Sequence, residues 1–337
     1  MRILGKIIDK NNVKNILITR TDRLGDVILT LPLLNSAKKI FKNAKIDLLV
    51  KKYLEELLHD YKDIDELIIE ENIKSFFSKY KFFKNKKIDL FINVKPGFEL
   101  ALLFFVLRVK YRIGTAYRWY SFLYNFKVYE HRKDSVKHES DYNLNLLKNF
   151  FKEADDSKVF HFGYSEDEKK ELNRKLSGLP DSRYIIVHPG SGGSAKDIPV
   201  NRLALFINKF SEIYADYRIV ITGTENEKPV INHLMKNIRS DFKTGVHDVS
   251  GMLDLKELMI LIDNSDLFIS NSTGPVHIAG ALNRNIIGFY PNEKPMSDTR
   301  WKPLSENTVI LKPDGISDDM DLITEDVIMK AVTSFLK

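Results

Sequence analysis

Strand, loop and helix follow one another along this chain in a fixed order, and the order restarts halfway. "VKNILIT" runs through "RTDRLGD" into "VILTLPLLNSAKKIF" and on to a second strand, "AKIDLLV"; "IDLFINV" (88–94) runs into "KPGFELALLFFVLRV". After about residue 165, "RYIIVHPGSGGSAKDIPVNRLALFINKF", "YRIVITGTENEKPVINHLM" and "DLFISNSTGPVHIAGALNRNIIGFY" repeat the pattern. Strands separated by helices cannot pair as hairpins. Each crossover makes the next strand parallel and lays a helix on one face of the sheet. The reading is α/β: two Rossmann-like, doubly wound parallel-sheet domains, residues 1–165 and 166–337, joined near "FKEADDSKVFHFGYSEDEKKEL". The last segment, "ITEDVIMKAVTSFLK", reads as a helix with an acidic first turn and a closing lysine, able to pack back on the first domain.

A length of 337 residues accommodates two such domains. The chain has no cysteine, which excludes disulfides, thiolate metal sites and a cysteine nucleophile, and suits a reducing compartment. Its first residues mix apolar and charged side chains, unlike a signal peptide. The longest apolar run, "LALLFFVL" (100–107), is far short of the roughly 20 residues that span a bilayer. A cytoplasmic protein, soluble or peripheral on the inner face of the membrane, is expected. The net charge of +6 is concentrated in "KSFFSKYKFFKNKK" (74–87) and in the basic, aromatic stretch 108–133. The first spacing predicts an amphipathic helix with Phe76, Phe77, Tyr80 and Phe83 inward and lysines toward water. Such a surface can also meet anionic lipid or an anionic substrate. Nucleic-acid motifs are missing, so nucleic acid is not an expected partner.

In parallel α/β sheets ligands bind beyond the carboxyl ends of strands, where the unusual loops of this chain lie. "HPGSGGSAK" (188–196) follows a strand and opens a helix. Its glycines admit a close ligand, the helix start favours an anion, and Lys196 adds charge. "SNSTGPVHIAG" (270–280) repeats the idea, with Gly274, Pro275 at the first helical position, and Ser272 and Thr273 as caps and donors. Two such loops in one domain, with a lysine, favour a diphosphate ligand over pure architecture. GxxxxGK[ST], GxGxxG and HExxH are absent, as are a paired His–Asp metal spacing and a DxD-like cluster at a strand end. The expectation is therefore no metal and no cofactor, with phosphates neutralised by helix N-termini and Lys196. In the first loop the residues alone leave Asp26 as either a helix N-cap or a general base. Asp22 reads as part of an ion-pair cluster with Arg20 and Arg23.

Taken together, "ILITRTDRLGDVILTLPLLNSAKKIF", "YRIG", "HESDYNLNLLK", "IVHPGSGGSAKDIP", "ITGTENEKP", "VSGMLDLKEL" and "ISNSTGPVHIAGAL" occur in the order seen in bacterial heptosyltransferases. The chain resembles this family, glycosyltransferase family 9, from about residue 14 to residue 303. The resemblance implies a GT-B fold, two facing Rossmann-like domains around an interdomain cleft, with the acceptor on the first and the nucleotide-sugar on the second. It also implies inverting, metal-independent transfer, usually of heptose from ADP-heptose to an anionic lipopolysaccharide inner-core glycolipid or core oligosaccharide. By the same resemblance Asp26 is the base. Ser191, Lys196, Ser272, Thr273 and Gly274 hold the donor diphosphate, and Glu227 the ribose, with Glu225 as a possible substitute. Met252 and Leu253 pack on the nucleobase, although plain core residues would read the same way. Arg23, Lys95, Arg112 and His138 fall in the acceptor loops, and His277 is a helix residue beside the second phosphate loop.

The chain departs from the family's pattern twice. Asn271-Ser272-Thr273-Gly274 stands where an aspartate commonly precedes Thr-Gly, and Ile198 stands where an aromatic residue is common. Both departures bear on the donor, so a different nucleotide-sugar is an alternative. So are a GT-B sugar-nucleotide epimerase or hydrolase, which would turn over donor without acceptor, and a non-catalytic sugar-nucleotide-binding module. Asp26 and Lys196 argue against the last.

Overall fold

The structure, a computed structural model, describes residues 7–177, 179, 183–193 and 195–336. It divides after Gly163 into two compact units. Among the described residues the first carries six strands: β1 (Asn15–Thr19), β2 (Lys45–Val50), β3 (Glu66–Ile69), β4 (Leu90–Asn93), β5 (Tyr111–Thr115) and β6 (Phe126–Val128). All are parallel, in the order β3-β2-β1-β4-β5-β6. The second carries β7 (Tyr184–His188), β8 (Arg218–Ile221), β9 (Val246–Asp248), β10 (Leu267–Asn271), β11 (Ile286–Phe289) and β12 (Thr308–Leu311). These too are parallel, in the order β12-β11-β10-β7-β8-β9.

The two connectivities are the same. In each unit the chain starts in the middle, steps outward twice, then crosses back to the other side of its first strand. The crossing leaves a crevice at the carboxyl ends of β1 and β4, and another at those of β7 and β10. Register aligns these ends: Thr19 pairs with Asn93 and His188 with Ser270. The strands are apolar in unbroken runs because helices cover both faces; Ile16, Leu17, Ile18 and Leu267, Phe268, Ile269 are fully buried. Phe83, Phe91, Phe104 and Tyr124 fill the first core, and Phe206, Phe210, Phe289 and Ile328 the second. Each such side chain contributes about 1.5–3 kcal/mol by leaving water. The C-terminal helix Glu325–Val332 packs on the helix Val200–Ile213, so Ile328 and Val332 complete the second unit's core. No helix among the described residues is long and apolar enough to cross a membrane.

Two local expectations change. "VILTLPLLNSAKKIF" is not one helix but two, Leu24–Ile28 and Leu31–Ile40. Pro32 cannot donate a backbone hydrogen bond and belongs in the first turn of a new helix; the Thr30 hydroxyl donates to the Asp26 carbonyl at 2.8 Å, closing the first. The helix Phe76–Lys86 forms, opened by a Ser75–Ser78 capping box, but its buried residues are Lys79 and Phe83, with Tyr80 and Phe82 partly buried against the core, while Phe76 and Phe77 face water. Burial of Lys79 is possible because its ammonium lies 2.9 Å from Glu99 and 3.5 Å from Glu70.

One strand position opposes the fold. Asp47 of β2, opposite Leu17 and Glu66, is buried. Burial raises its carboxyl to about 6; Lys86, 3.8 Å away, opposes the shift, and Glu66 and Asp65 add to it. The folded state therefore keeps a proton that the unfolded chain has already released, so stability falls as pH rises from about 4 to about 6 and stays lower above. Asp47→Asn is expected to abolish that fall and to stabilise the protein at neutral pH by about 1–3 kcal/mol. Thermal unfolding of both proteins across this pH range checks it: the two curves should converge at the acid end.

Candidate active site

At the carboxyl end of β1 the chain turns through Arg20, whose guanidinium is buried. Its Nε donates to Asp22 Oδ1 at 2.8 Å and its Nη2 to Asp26 Oδ1, and both terminal nitrogens lie 3.3 Å from Glu139 Oε1. Arg132 adds a second guanidinium, 2.5 Å from the same Glu139 oxygen and 3.0 Å from Asn143 Oδ1. The Asn143 amide in turn donates to the Leu29 carbonyl and to Thr30 Oγ1, at 2.9 and 3.1 Å. Burial draws the Arg20 pKa down, but Asp26, Asp22 and Glu139 more than reverse it, so the group stays charged. Burial raises Asp22, against the pull of Arg20.

Asp26 is not an N-cap. The helix begins at Leu24 with Arg23 in the cap position, and Asp26 is its third residue, turned to Arg20. One oxygen is held by this charge-assisted bond. The other takes no hydrogen bond among the described residues, and the side chain is 16% exposed. A carboxylate fixed on one oxygen and open on the other is what a general base requires.

Lys95 joins this crevice from the loop after β4, its ammonium 3.3 Å from the Thr21 carbonyl; Arg23, the cap residue of the helix Leu24–Ile28, is exposed. His138 is buried as the cap of the helix Glu139–Lys148, its Nδ1 accepting from the Ser140 amide at 3.2 Å. Arg112 is not brought to the crevice. It stands near the amino end of β5, donating to the carbonyls of Leu123, at 2.8 Å, and Val109. Sequence reasoning misses Glu139 and Asn143. Their one signal is a carboxylate and an amide four residues apart, on one helix face of "HESDYNLNLLK".

In the second unit, Asn271 at the end of β10 ties down the loop after β7 at both ends. Its Nδ2 donates to the Pro189 carbonyl at 2.6 Å and its Oδ1 accepts from the Ile198 amide at 3.0 Å. Within the loop Gly192 and Gly193 take φ of 56° and 75°, which side-chain-bearing residues rarely adopt. Ser191 is buried, 3.4 Å from the Ala195 amide. Lys196 lies 3.1 Å from Glu293 and 3.5 Å from Asp318, and its hydrogen bond to Glu293 holds its pKa above the ordinary lysine range. Ile198 is a core residue, so the departure at this position falls inside the domain.

The helix Gly274–Ala281 starts one residue earlier than expected: Gly274 is first and Pro275 second. Thr273, in the cap position, makes no side-chain cap bond, and Ser272 hydrogen-bonds the Tyr290 phenol, which donates to the Trp301 carbonyl at 2.9 Å. A first turn without a side-chain cap offers its amides to an anion. His277 is buried in this helix, its ring beside Trp301.

Glu227 is buried in the turn between β8 and the helix Lys228–Asn237, its Oε2 accepting from the Thr224 amide and hydroxyl at 2.7 and 2.8 Å. A Cβ on Gly190 would fall 2.2 Å from Oε1, so only glycine lets this carboxylate lie against the loop. His188 Nε2 is 4.0 Å from Glu227, and burial draws the imidazole pKa down, favouring the neutral ring. Glu225 is exposed and paired with Lys228. Met252 is exposed and Leu253 partly so, which removes the plain-core reading of Met252. Gly251 ties their loop to Gly223 at 2.8 Å. Among the described residues no group of three or more His, Cys, Asp or Glu could hold a metal ion.

The family model of glycosyltransferase family 9 (heptosyltransferase) matches residues 77–322, well over half of the chain. A Haemophilus influenzae protein provisionally named a glycosyltransferase is 28% identical, covering 96% of this chain and 97% of its own. Lipopolysaccharide heptosyltransferase 3 of Escherichia coli is 24% identical, covering 85% of each. Among solved structures, Escherichia coli ADP-heptose lipopolysaccharide heptosyltransferase II superposes with a TM-score of 0.82 at 19% identity, over 96% of this chain and 98% of its own. The shared architecture is of the GT-B class.

The buried cluster makes a prediction of its own. Arg20→Gln leaves Asp22 and Asp26 without their guanidinium in a largely buried site, with only Arg132 still paired to Glu139, and is expected to destabilise the first unit by about 3–5 kcal/mol. Urea unfolding checks this; a loss below about 1 kcal/mol would place the cluster among ordinary surface ion pairs.

Proposed function

The chain belongs to glycosyltransferase family 9, and from that premise we propose that it moves heptose from ADP-heptose onto an anionic saccharide of the lipopolysaccharide inner core, with inversion and without a metal or cofactor. Asp26, held on one oxygen by Arg20 at the switch point of the first unit, is the observation that carries this reading. As the acceptor hydroxyl attacks the anomeric carbon, Asp26 Oδ2 takes its proton. The new C–O bond forms while the bond from that carbon to the β-phosphate oxygen breaks, and ADP leaves with the electron pair.

The leaving diphosphate needs positive partners. The uncapped first turn at Gly274, with Thr273 and Ser272 beside it, and the loop from Ser191 to Lys196 supply them. Lys196 exchanges Glu293 and Asp318 for phosphate oxygens when donor binds. Glu227 takes the ribose, and Met252 and Leu253 lie against the base. Arg23 and Lys95 meet acidic groups of the acceptor. Arg112 and His138 stay outside this assignment, because their polar atoms serve β5 and a helix start. The reaction belongs in the cytoplasm, where a nucleotide-sugar donor is found. The Escherichia coli structural neighbour is by name an ADP-heptose enzyme, which supports that donor here.

Calorimetric titration with ADP, UDP, GDP and CDP tests the donor half. ADP is expected to bind most tightly and to weaken about tenfold or more in Lys196→Ala, a loss of ~1.4 kcal/mol. Preference for another nucleotide retires ADP-heptose. Asp26→Asn tests the acceptor half: transfer should fall by about 10²–10⁴ while ADP affinity stays unchanged. A variant that transfers at the parent rate removes Asp26 from the role.

A further inference from the structure

Glu99 is the one polar residue of the helix Phe98–Val106, and all the others are apolar, a composition that belongs to a helix largely buried. One of its faces is uncovered. Leu100, Ala101, Leu103 and Phe104 enter the first unit's core, whereas Phe98, Phe105 and Val106 are nearly half exposed. The segment after β5 extends this face. Trp119 packs on Phe98 with tilted rings, their centres 4.8 Å apart, and is still 73% exposed, and Phe122 is 64% exposed.

At the end of the same helix the chain turns basic. Arg108, Lys110 and Arg112 line a cavity of about 540 Å³ with Phe105, Val106 and Val109. No carboxylate pairs with any of the three cations among the described residues. Arg112 meets only the carbonyls of Leu123 and Val109 and the Phe105 ring, contacts that leave its charge uncancelled. Between Lys95 and Val128 the one acidic residue is Glu99, which Lys79 holds at 2.9 Å.

We propose that this face seats the first unit on a bilayer surface rich in anionic phospholipid. Exposed Trp and Phe side chains enter the headgroup–acyl boundary, and cations at the rim meet lipid phosphates; each alone binds weakly and together they hold a protein at the surface. A second copy of the chain would set like charge against like charge, which disfavours it as the occupant. The transfer reaction does not require this surface, and Arg108, Lys110, Trp119 and Phe122 take no part in the proposed chemistry.

Vesicle flotation of the full-length protein tests the proposal. The protein is expected to float with phosphatidylcholine vesicles carrying about one-third phosphatidylglycerol, at about 0.1 M salt, and not with phosphatidylcholine alone. Arg108→Gln with Lys110→Gln should weaken binding roughly thirtyfold, and Trp119→Ser with Phe122→Ser should abolish it. Brominated phosphatidylglycerol should quench part of the tryptophan emission in the parent protein, and that part should be absent in Trp119→Phe. Equal binding to neutral and anionic vesicles, no binding to either, or variants that bind as the parent does would overturn the proposal. So would a self-association broken by Trp119→Ser with Phe122→Ser in a protein that ignores vesicles, which would give the face to a second copy. ADP titration of the same variants should match the parent, which separates a failure here from a failure of the transferase assignment.

Discussion

A buried guanidinium has to be surrounded by negative charge, and the first unit is arranged to provide it for Arg20. Three carboxylates converge on this group from different parts of the chain. Asp22 comes from the same turn, Asp26 from the helix that follows, and Glu139 from a helix more than a hundred residues later. The last contact explains why the helix Glu139–Lys148 begins where it does. His138 caps it, and the cap delivers Glu139 and Asn143 to the guanidinium pair. A carboxylate placed by such a network does not depend on its own rotamer preference, because the backbone carbonyl of Asp26 is also held, through Thr30 and Asn143. This is the pre-organisation that a reacting carboxylate needs.

The second unit solves a related problem with neutral groups. A glycine-rich loop has few side chains to keep it in place, and Asn271 holds its two ends with one amide. The amide has a donor at one end and an acceptor at the other, so it can satisfy a carbonyl and an N–H at once; an aspartate could serve only the N–H. The Ser272 hydroxyl is likewise bonded within the domain, to Tyr290. Ser272, where this chain departs from its family's habit, therefore has a structural role of its own.

The alternation of strand and helix is enough to read two parallel sheets, because burial on both faces requires the apolar runs seen at Ile16–Ile18 and Leu267–Ile269. Loops at strand ends are legible for the same reason: polar and glycine-rich residues there have no architectural explanation as simple as an apolar strand has. Pairing across long separations is not legible. Nothing local marks Lys79 as a buried residue, since its partners Glu70 and Glu99 come from outside its helix. Arg112 fails to join the acceptor side for a related reason. A residue near the start of a strand and one near its end differ by only a few positions in sequence but lie at opposite edges of the sheet. An N-cap is the reasonable local reading of Asp26, and it loses to a stronger acceptor need, that of Arg20 three residues before the helix cap.

The charge count at the first switch point bears directly on the proton step. Arg20 and Arg132 bring two positive charges to a cluster whose carboxylates, Asp22, Asp26 and Glu139, bring three negative ones when ionised. In the reaction proposed above, the cluster then starts with one surplus negative charge, which favours uptake of a proton from an attacking hydroxyl. Once Asp26 takes the proton in that scheme, the cluster is balanced, and Arg20 is still paired with Asp22 and Glu139. Proton uptake therefore leaves no buried charge without a partner, a requirement that a low-dielectric site imposes on any base it holds. A lone aspartate with a single arginine would not meet that requirement, since protonation would strand the guanidinium. In the proposed scheme Glu139 thus does more than position a side chain: it keeps the cluster neutral after the proton step.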